Sequence, residues 1–189
     1  MKKQVYVLVL GLGVTIALAA CQGTASAPKE TPVERGRFLV GLGGCNDCHT
    51  PLKMGANGPE PDFSRMLSGH PSALQMPPAP ALPPGPWMVV ASATLTAWSG
   101  PWGVSYTANL TPDAETGIGA WEEKTFIQAM RTGKHLGGGR DILPPMPWQA
   151  IGKLSDDDLK AIFAYLRTIP PVKNQVPSPA LPAAPPAHG

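Results

Sequence analysis

Charged side chains are scarce in this 189-residue sequence: Asp, Glu, Lys and Arg together make up 15%, against about a quarter in typical domains. The 15 basic and 13 acidic residues leave a formal net charge of +2, with no run of like charge and no basic stripe. That pattern excludes a nucleic-acid-binding surface. Cysteine is equally sparse. Three thiols cannot all pair, which excludes a disulfide framework. Aromatic residues reach only 6%. Proline and glycine are abundant instead, at 24 and 21 residues, close to the level at which a chain is rich in loops rather than a dense helical bundle. The hydrophobic fraction of 43% is ordinary and suffices for one small core, so the length reads as one domain with appendages.

The one long apolar run lies at the start. Lys2 and Lys3 precede the stretch from Val5 to Ala20. This is short for a membrane span, which needs about 20 residues, and has the order of a secretory signal. It ends in Leu18-Ala19-Ala20-Cys21, which resembles the lipobox of bacterial lipoproteins, where the cysteine is lipidated. The expectation is a lipoprotein signal peptide over 1–20, lipidation at Cys21 and a flexible tether over 21–31. The mature chain is then exported and lipid-anchored to a bacterial membrane, facing the periplasm or the cell exterior.

Thr31-Pro32-Val33-Glu34 reads as a helix start, with Thr31 as cap, Pro32 at the first helical position and Glu34 closing a capping box. That helix runs through Phe38-Leu39-Val40 and ends near Gly43-Gly44. From Pro51 to about Tyr106 no period is sustained. Seven prolines between Pro71 and Pro86 exclude a helix there, and Val89 to Trp98 suits one short strand or extended arm. A second helix is expected over 121–132, with Phe126, Ile127 and Met130 on one face and Gly133 as its stop. A third starts at Ser155, with Asp158 completing a capping box and Leu159, Ile162, Phe163 and Leu166 forming an apolar stripe. Pro170-Pro171 end it. Residues 173–189 hold five prolines and read as a solvent-exposed, extended tail. The expected fold is all-α: a domain over 32–172 interrupted by a Pro/Gly-rich insertion over 51–105, then the Pro-rich tail.

Cys45-Asn46-Asp47-Cys48-His49 is the C-x-x-C-H sequence of c-type haem attachment. Two thiols at this spacing add to the two vinyl groups on one porphyrin edge, and the following residue brings an imidazole to the iron. A zinc site needs further ligands and usually a second paired motif, and no cysteine remains for one. A thioredoxin-like dithiol needs a βαβ context, whereas these flanks are helical and glycine-rich. The cysteine count closes, with Cys21 for lipid and Cys45 and Cys48 for one covalent haem c. His49 is the expected metal ligand. Among seven methionines, Met146 stands apart as the second ligand, because Leu143-Pro144-Pro145-Met146-Pro147-Trp148 fixes its backbone before any bond forms. Met130 reads as core, and Met66, Met76 and Met88 lie in the insertion without a fixed scaffold. His70 and His135 are rival ligands that read otherwise as solvated loop histidines.

These residues resemble the monohaem class I cytochromes c. The stretches Ala108-Asn109-Leu110-Thr111-Pro112-Asp113, Thr116-Gly117-Ile118-Gly119-Ala120-Trp121 and Pro144-Pro145-Met146-Pro147-Trp148 are similar to the haem modules of bacterial membrane-bound alcohol and gluconate dehydrogenase cytochrome c subunits. Those subunits usually carry several haem motifs; this chain has one. The resemblance covers about 33–50 and 106–172. It implies a class I cytochrome c fold in which the first and last helices cross near a right angle and pack through small residues, here Gly36 and Ala164. It also implies a prolyl carbonyl that accepts the outer proton of His49, for which Pro59 is the candidate. Asn109, Trp121 and Arg140 become candidate haem-propionate partners, with a turn residue, a core aromatic and a surface charge as their competing readings.

A one-electron carrier between a redox donor and a redox acceptor is the leading functional reading, since His/Met ligation leaves no open site on the iron. The rivals are a peroxidase-like haem enzyme in which Met146 leaves the iron, a gas sensor, and a fixed subunit of a larger respiratory complex. Residues 71–106, with Trp87, Trp98 and Trp102, read as a lid on the haem edge or as an apolar docking surface.

Overall fold

The computed structural model describes residues 29–182. The expected signal peptide, Cys21, most of the tether and the last part of the tail lie outside the described residues. Helix α1 (Pro32–Leu42) begins as its sequence requires. The Thr31 hydroxyl accepts from Glu34 N–H, and the Glu34 carboxylate accepts from Thr31 N–H at 2.8 Å. Helix α2 (Cys45–His49) follows after a two-residue turn. Helix α3 (Glu123–Thr132) buries Phe126, Ala129 and Met130, and α4 (Trp148–Ile151) is a single turn. Helix α5 (Asp156–Leu166) is capped by Ser155.

α1 and α5 make the most extensive helix–helix contact, and glycine makes it possible. A Cβ on Gly36 would collide with the Ala161 carbonyl and come within 2.8 Å of Tyr165 Cβ. The small-residue contact is therefore Gly36 against Ala161 rather than Ala164. The Asp158 carboxylate does not complete its expected capping box. It crosses to α1 and accepts from Arg35 Nε at 2.8 Å, and this bond holds its carboxyl below the usual carboxylate range. Leu39, Val40, Phe126, Leu159, Ile162 and Leu166 form the apolar centre between α1, α3 and α5.

The all-α expectation is wrong. Among the described residues the structure is mixed α/β, with 31% helix, 14% strand and two antiparallel sheets. β1 (Leu52–Gly55) and β2 (Gly58–Pro61) form a hairpin with Leu52 opposite Pro61. β3 (Val90–Ala91), β4 (Ala97–Gly100) and β5 (Gly103–Tyr106) form a meander with Ala97 opposite Tyr106 and Gly100 opposite Gly103. Strands of two to four residues carry too little alternation to be seen as a period. Val89 to Trp98, read as one strand, is parts of two, joined by a turn through Ser92–Leu95.

Nor is the chain after α5 a free tail. Ala180 exchanges backbone hydrogen bonds with Val104 of β5 at 2.7 and 2.9 Å, which covers that sheet edge. Asn174 is buried. Within 51–105 the structure is divided. Leu67, Ser68, His70 and Thr96 are fully buried, whereas residues 72–89 lie exposed and make almost no backbone hydrogen bonds. Among the described residues no helix is long and apolar enough to cross a membrane.

Substituting Gly36→Ala should separate α1 from α5 and lower stability by about 1–3 kcal/mol, the usual cost of overpacking. Denaturant unfolding with an unchanged transition midpoint would show that the two helices do not need this close approach.

Candidate cofactor-attachment site

The five residues of α2 place Cys45, Cys48 and His49 at positions i, i+3 and i+4, so one helical face carries both thiols and the imidazole. The end of α2 is fastened by its neighbours. The Thr50 hydroxyl donates to Asn46 Oδ1 at 2.8 Å and accepts from Leu67 N–H at 2.9 Å, and the His49 carbonyl accepts from Gly69 N–H at 2.8 Å. The helix thus presents its face from a frame built by residues 67–69.

His49 is 7% exposed. Its Nδ1–H donates to the Ala108 carbonyl at 2.7 Å. A carbonyl only accepts, so this bond assigns the proton to Nδ1 and leaves the Nε2 lone pair free. Nε2 has no hydrogen-bond partner among the described residues. Burial pushes the imidazole pKa down, and the Ala108 bond partly opposes this. The ring is held neutral, as a metal-ligating imidazole must be. The accepting carbonyl belongs to Ala108, not to Pro59, which lies in β2.

Both thiols are held protonated. Burial pushes Cys45 up to about 11, and burial and then Asp47 push Cys48 up. A redox-active C-x-x-C lowers its thiol pKa to generate thiolate; this environment does the opposite. No group of three or more His, Cys, Asp or Glu side chains is placed to hold a metal ion among the described residues. The donor set therefore does not suit a zinc site. It fits haem c: two neutral, half-buried thiols beside an oriented imidazole with a free nitrogen.

The Met146 loop runs between α3 and α4. Met146 is half-buried and packs against the apolar centre. The loop is braced by the sheet: Ser105 of β5 donates its hydroxyl to the Pro144 carbonyl at 2.6 Å, and Trp102 Nε1 donates to the same hydroxyl at 3.3 Å. Ile142 N–H also donates to the Gly133 carbonyl at the end of α3. Met66, expected to lack a scaffold, also packs against the apolar centre.

The rival ligands are placed differently. His70 is not solvated but 0% exposed. Its Nδ1 pairs with Thr96 Oγ1 at 3.0 Å, its Nε2 donates to the Leu74 carbonyl at 3.4 Å, and its ring lies 4.9 Å from that of Tyr106. Both nitrogens are engaged. His135 is half-buried and meets Trp121 edge-on at 5.3 Å. Arg140 is exposed and donates to the Asp141 carbonyl. Asn109 is buried and fully engaged. Its Nδ2 donates to Val172 O at 2.8 Å and Thr116 Oγ1 at 3.2 Å, and its Oδ1 accepts from Thr111 N–H and hydroxyl. It behaves as the clamp of a turn and spares no donor for another group.

Sequence reasoning missed four residues: Ala108, Gly69, Ser105 and Asn174. Ala108 acts through its backbone, and Ser105 is one hydroxyl in a glycine-rich strand pair, so neither carries a signal. Gly69 and Asn174 were legible only as a glycine and an asparagine in loops.

No family model matches the chain. Relatives that match along most of it include three dehydrogenase subunits. A nicotinate dehydrogenase subunit of Pseudomonas putida is 31% identical over 146 residues, 77% of this chain and 9% of that protein. The gluconate 2-dehydrogenase cytochrome c subunit of Pantoea cypripedii is 30% identical over 165 residues, 87% and 28%. The quinone alcohol dehydrogenase cytochrome c subunit of Gluconobacter oxydans is 28% identical over 180 residues, 94% and 30%. The chain thus spans less than a third of the length of these curated relatives. The names of the two cytochrome c subunits imply haem c. Over most of its own length this chain is homologous to the cytochrome c subunits of bacterial dehydrogenases.

Proposed function

We propose that this chain is a c-type cytochrome module that carries single electrons between redox proteins, with one haem attached through Cys45 and Cys48. The observation that carries the reading is the His49 ring: Nδ1–H tied to Ala108, Nε2 without a partner among the described residues, and two thiols on the same helical face. The haem, when bound, supplies a one-electron iron couple. His49 would hold the iron from Nε2, its ring and tautomer fixed by Ala108. Met146 is the proposed second ligand, and methionine ligation favours a higher reduction potential. Prolines on both sides and the Ser105 bond to Pro144 hold its loop in place without any ligand. Trp121 and Arg140 remain the candidates for the propionate side. With His49 and Met146 both holding the iron, no position would be left for substrate, which favours the carrier over a peroxidase-like enzyme.

The purified chain should contain one covalently attached haem with a low-spin spectrum. Met146→Ala should keep that haem, lower the reduction potential and let added cyanide or imidazole bind iron. Unchanged low-spin spectra in the variant would remove Met146 from the site; a chain without covalent haem would sink the whole reading.

The partners are proposed to dock on an uncharged surface. Between Arg65 and Asp113 the sequence holds no Asp, Glu, Lys or Arg. Within this stretch Trp87 is 79% and Met88 60% exposed, and Met76 and Leu82 also face solvent. Aromatic side chains anchor binding hot spots, and a surface without charge gives no salt-dependent steering. Homology to dehydrogenase cytochrome subunits supports a dehydrogenase as electron donor. Reduction of the purified protein by dehydrogenase-containing membranes should vary less than about twofold between low and high salt. Trp87→Ser with Met88→Ser should slow it about tenfold, the order of one lost hot spot. A steep salt dependence with no effect of the double substitution would move the docking site elsewhere.

Membrane association is proposed to run through lipid on Cys21, on the strength of Leu18-Ala19-Ala20-Cys21 after the apolar run. Cys21→Ser should release the holoprotein from salt-washed membranes with its haem intact. Sedimentation of the variant with membranes would assign the anchor to another segment.

A further inference from the structure

Asn174 lies in the proline-rich segment beyond α5, 1% exposed, with every polar atom in use. Its Nδ2 donates to the carbonyls of Ser68 at 2.7 Å and His70 at 2.8 Å. Its Oδ1 accepts from Ser72 N–H at 2.9 Å and from the Arg65 guanidinium at 3.1 Å. Its own N–H donates to Thr116 Oγ1 at 2.9 Å, and its carbonyl accepts from Asn109 Nδ2 at 3.5 Å. An asparagine so completely engaged in a segment of otherwise low complexity is holding something in place.

Ser68 and His70 flank Gly69, and Gly69 touches the frame of His49 twice. Its N–H donates to the His49 carbonyl. Its Cα, at φ +77°, lies flat against the Thr107–Ala108 backbone, so that a Cβ would come within 2.6 Å of both the carbon and the oxygen of the Ala108 carbonyl. The neighbouring strands of chain are zipped on either side: His70 N–H to Thr107 O at 3.0 Å and Leu110 N–H to Leu67 O at 2.9 Å. The Ala108 carbonyl, which takes the His49 proton, sits inside this zip. Residues 172–174 close it from the far side, because Asn109, next to Ala108, is clamped to the Val172 carbonyl.

We propose that Asn174 is a positioning residue for the His49 imidazole: by holding residues 68–70 against 107–108 it fixes the Ala108 carbonyl on His49 Nδ1–H and so would set how strongly Nε2 donates to iron. This rests on the haem reading given above. A short bond to Nδ1–H makes the ring a better donor and favours ferric iron. Removing the Asn174 side chain takes their partner from two buried carbonyls, the Ser72 N–H and an Arg65 guanidinium N–H, a condition that buried backbone avoids by shifting. The 68–70 segment then relaxes, the Ala108 bond lengthens and the ring donates less.

The experiment compares the holoprotein with Asn174→Ala, Asn174→Asp, which replaces the two donor hydrogens by acceptor oxygen, and Gly69→Ala, which pushes the Ala108 carbonyl directly. Each should keep covalent haem, raise the midpoint potential and speed solvent exchange of the His49 Nδ1–H proton seen by NMR. Gly36→Ala, which destabilises the distant α1–α5 contact, is the control and should leave both readouts where they are. Asn174 variants that lose stability with potential and Nδ1–H exchange no different from the control would reduce the residue to a structural clip and overturn the proposal; so would a downward shift in potential. If the variants do not accumulate, the unaltered holoprotein decides. Native-state hydrogen exchange should open the His49 Nδ1–H and the Asn174 side-chain amide in one step, and independent opening overturns the proposal. Absence of covalent haem in the unaltered chain would instead remove the haem reading itself.

Discussion

The hydrogen bond from His49 to the Ala108 carbonyl joins positions 59 residues apart and orders the rest of the structure. Without an acceptor on Nδ1 the imidazole could carry its proton on either nitrogen and turn about its χ angles, and the free lone pair would have no fixed direction. A backbone carbonyl is a rigid acceptor only if its own peptide is held. The structure holds it with Gly69 packed on one face, the His70–Thr107 and Leu110–Leu67 bonds along its edges, and Asn109 clamped to the chain beyond α5. Much of the polar interior serves this one orientation.

That interior explains how a chain so poor in helix keeps a core. Thr50, His70, Thr96, Asn109, Thr111 and Asn174 are all buried, and their side chains replace the ladders that long helices or strands would supply. Loops buried in this way satisfy their backbone only through specific side-chain partners. Nearly all the atoms comply: Arg65 Nε and Ser68 Oγ are the buried side-chain atoms without a partner among the described residues. The apolar half of the core is conventional by comparison, three helices meeting through Leu, Ile and Phe.

This division also marks what the sequence reveals. The three long helices were legible because each announces itself locally: Thr31 and Glu34 as a reciprocal cap, Ser155 as a cap, Gly133 as a left-handed stop, and apolar residues three and four apart; the short α2 and α4 were not. The attachment motif was legible because its chemistry requires consecutive residues. The strands were not, since β3 has two residues and β4 and β5 four each, and glycine interrupts what alternation there is. Pairing of Asn174 with Ser68 and His70 spans more than a hundred residues and leaves no mark on either stretch. The resemblance to class I cytochromes c pointed to a backbone carbonyl on His49 but not to the right residue: Pro59 lies in β2, and Ala108 accepts instead. Residues taken for an insertion contribute the Gly69 frame of His49 and the Ser105 brace of the Met146 loop.

The position of the closing segment has a consequence for the order of assembly. A chain that emerges from its N-terminal end presents Cys45, Cys48 and His49 long before residues 172–180 are available to bind 68–70, Asn109 and Val104. Until then the loop bearing Ala108 lacks its outer clamp and the thiols remain accessible on a short helix. Contacts of such sequence separation form late, since the entropy of closing the intervening loop must first be overcome. The architecture thus leaves an interval in which the thiols can still be modified, and ends it when residues 172–180 arrive.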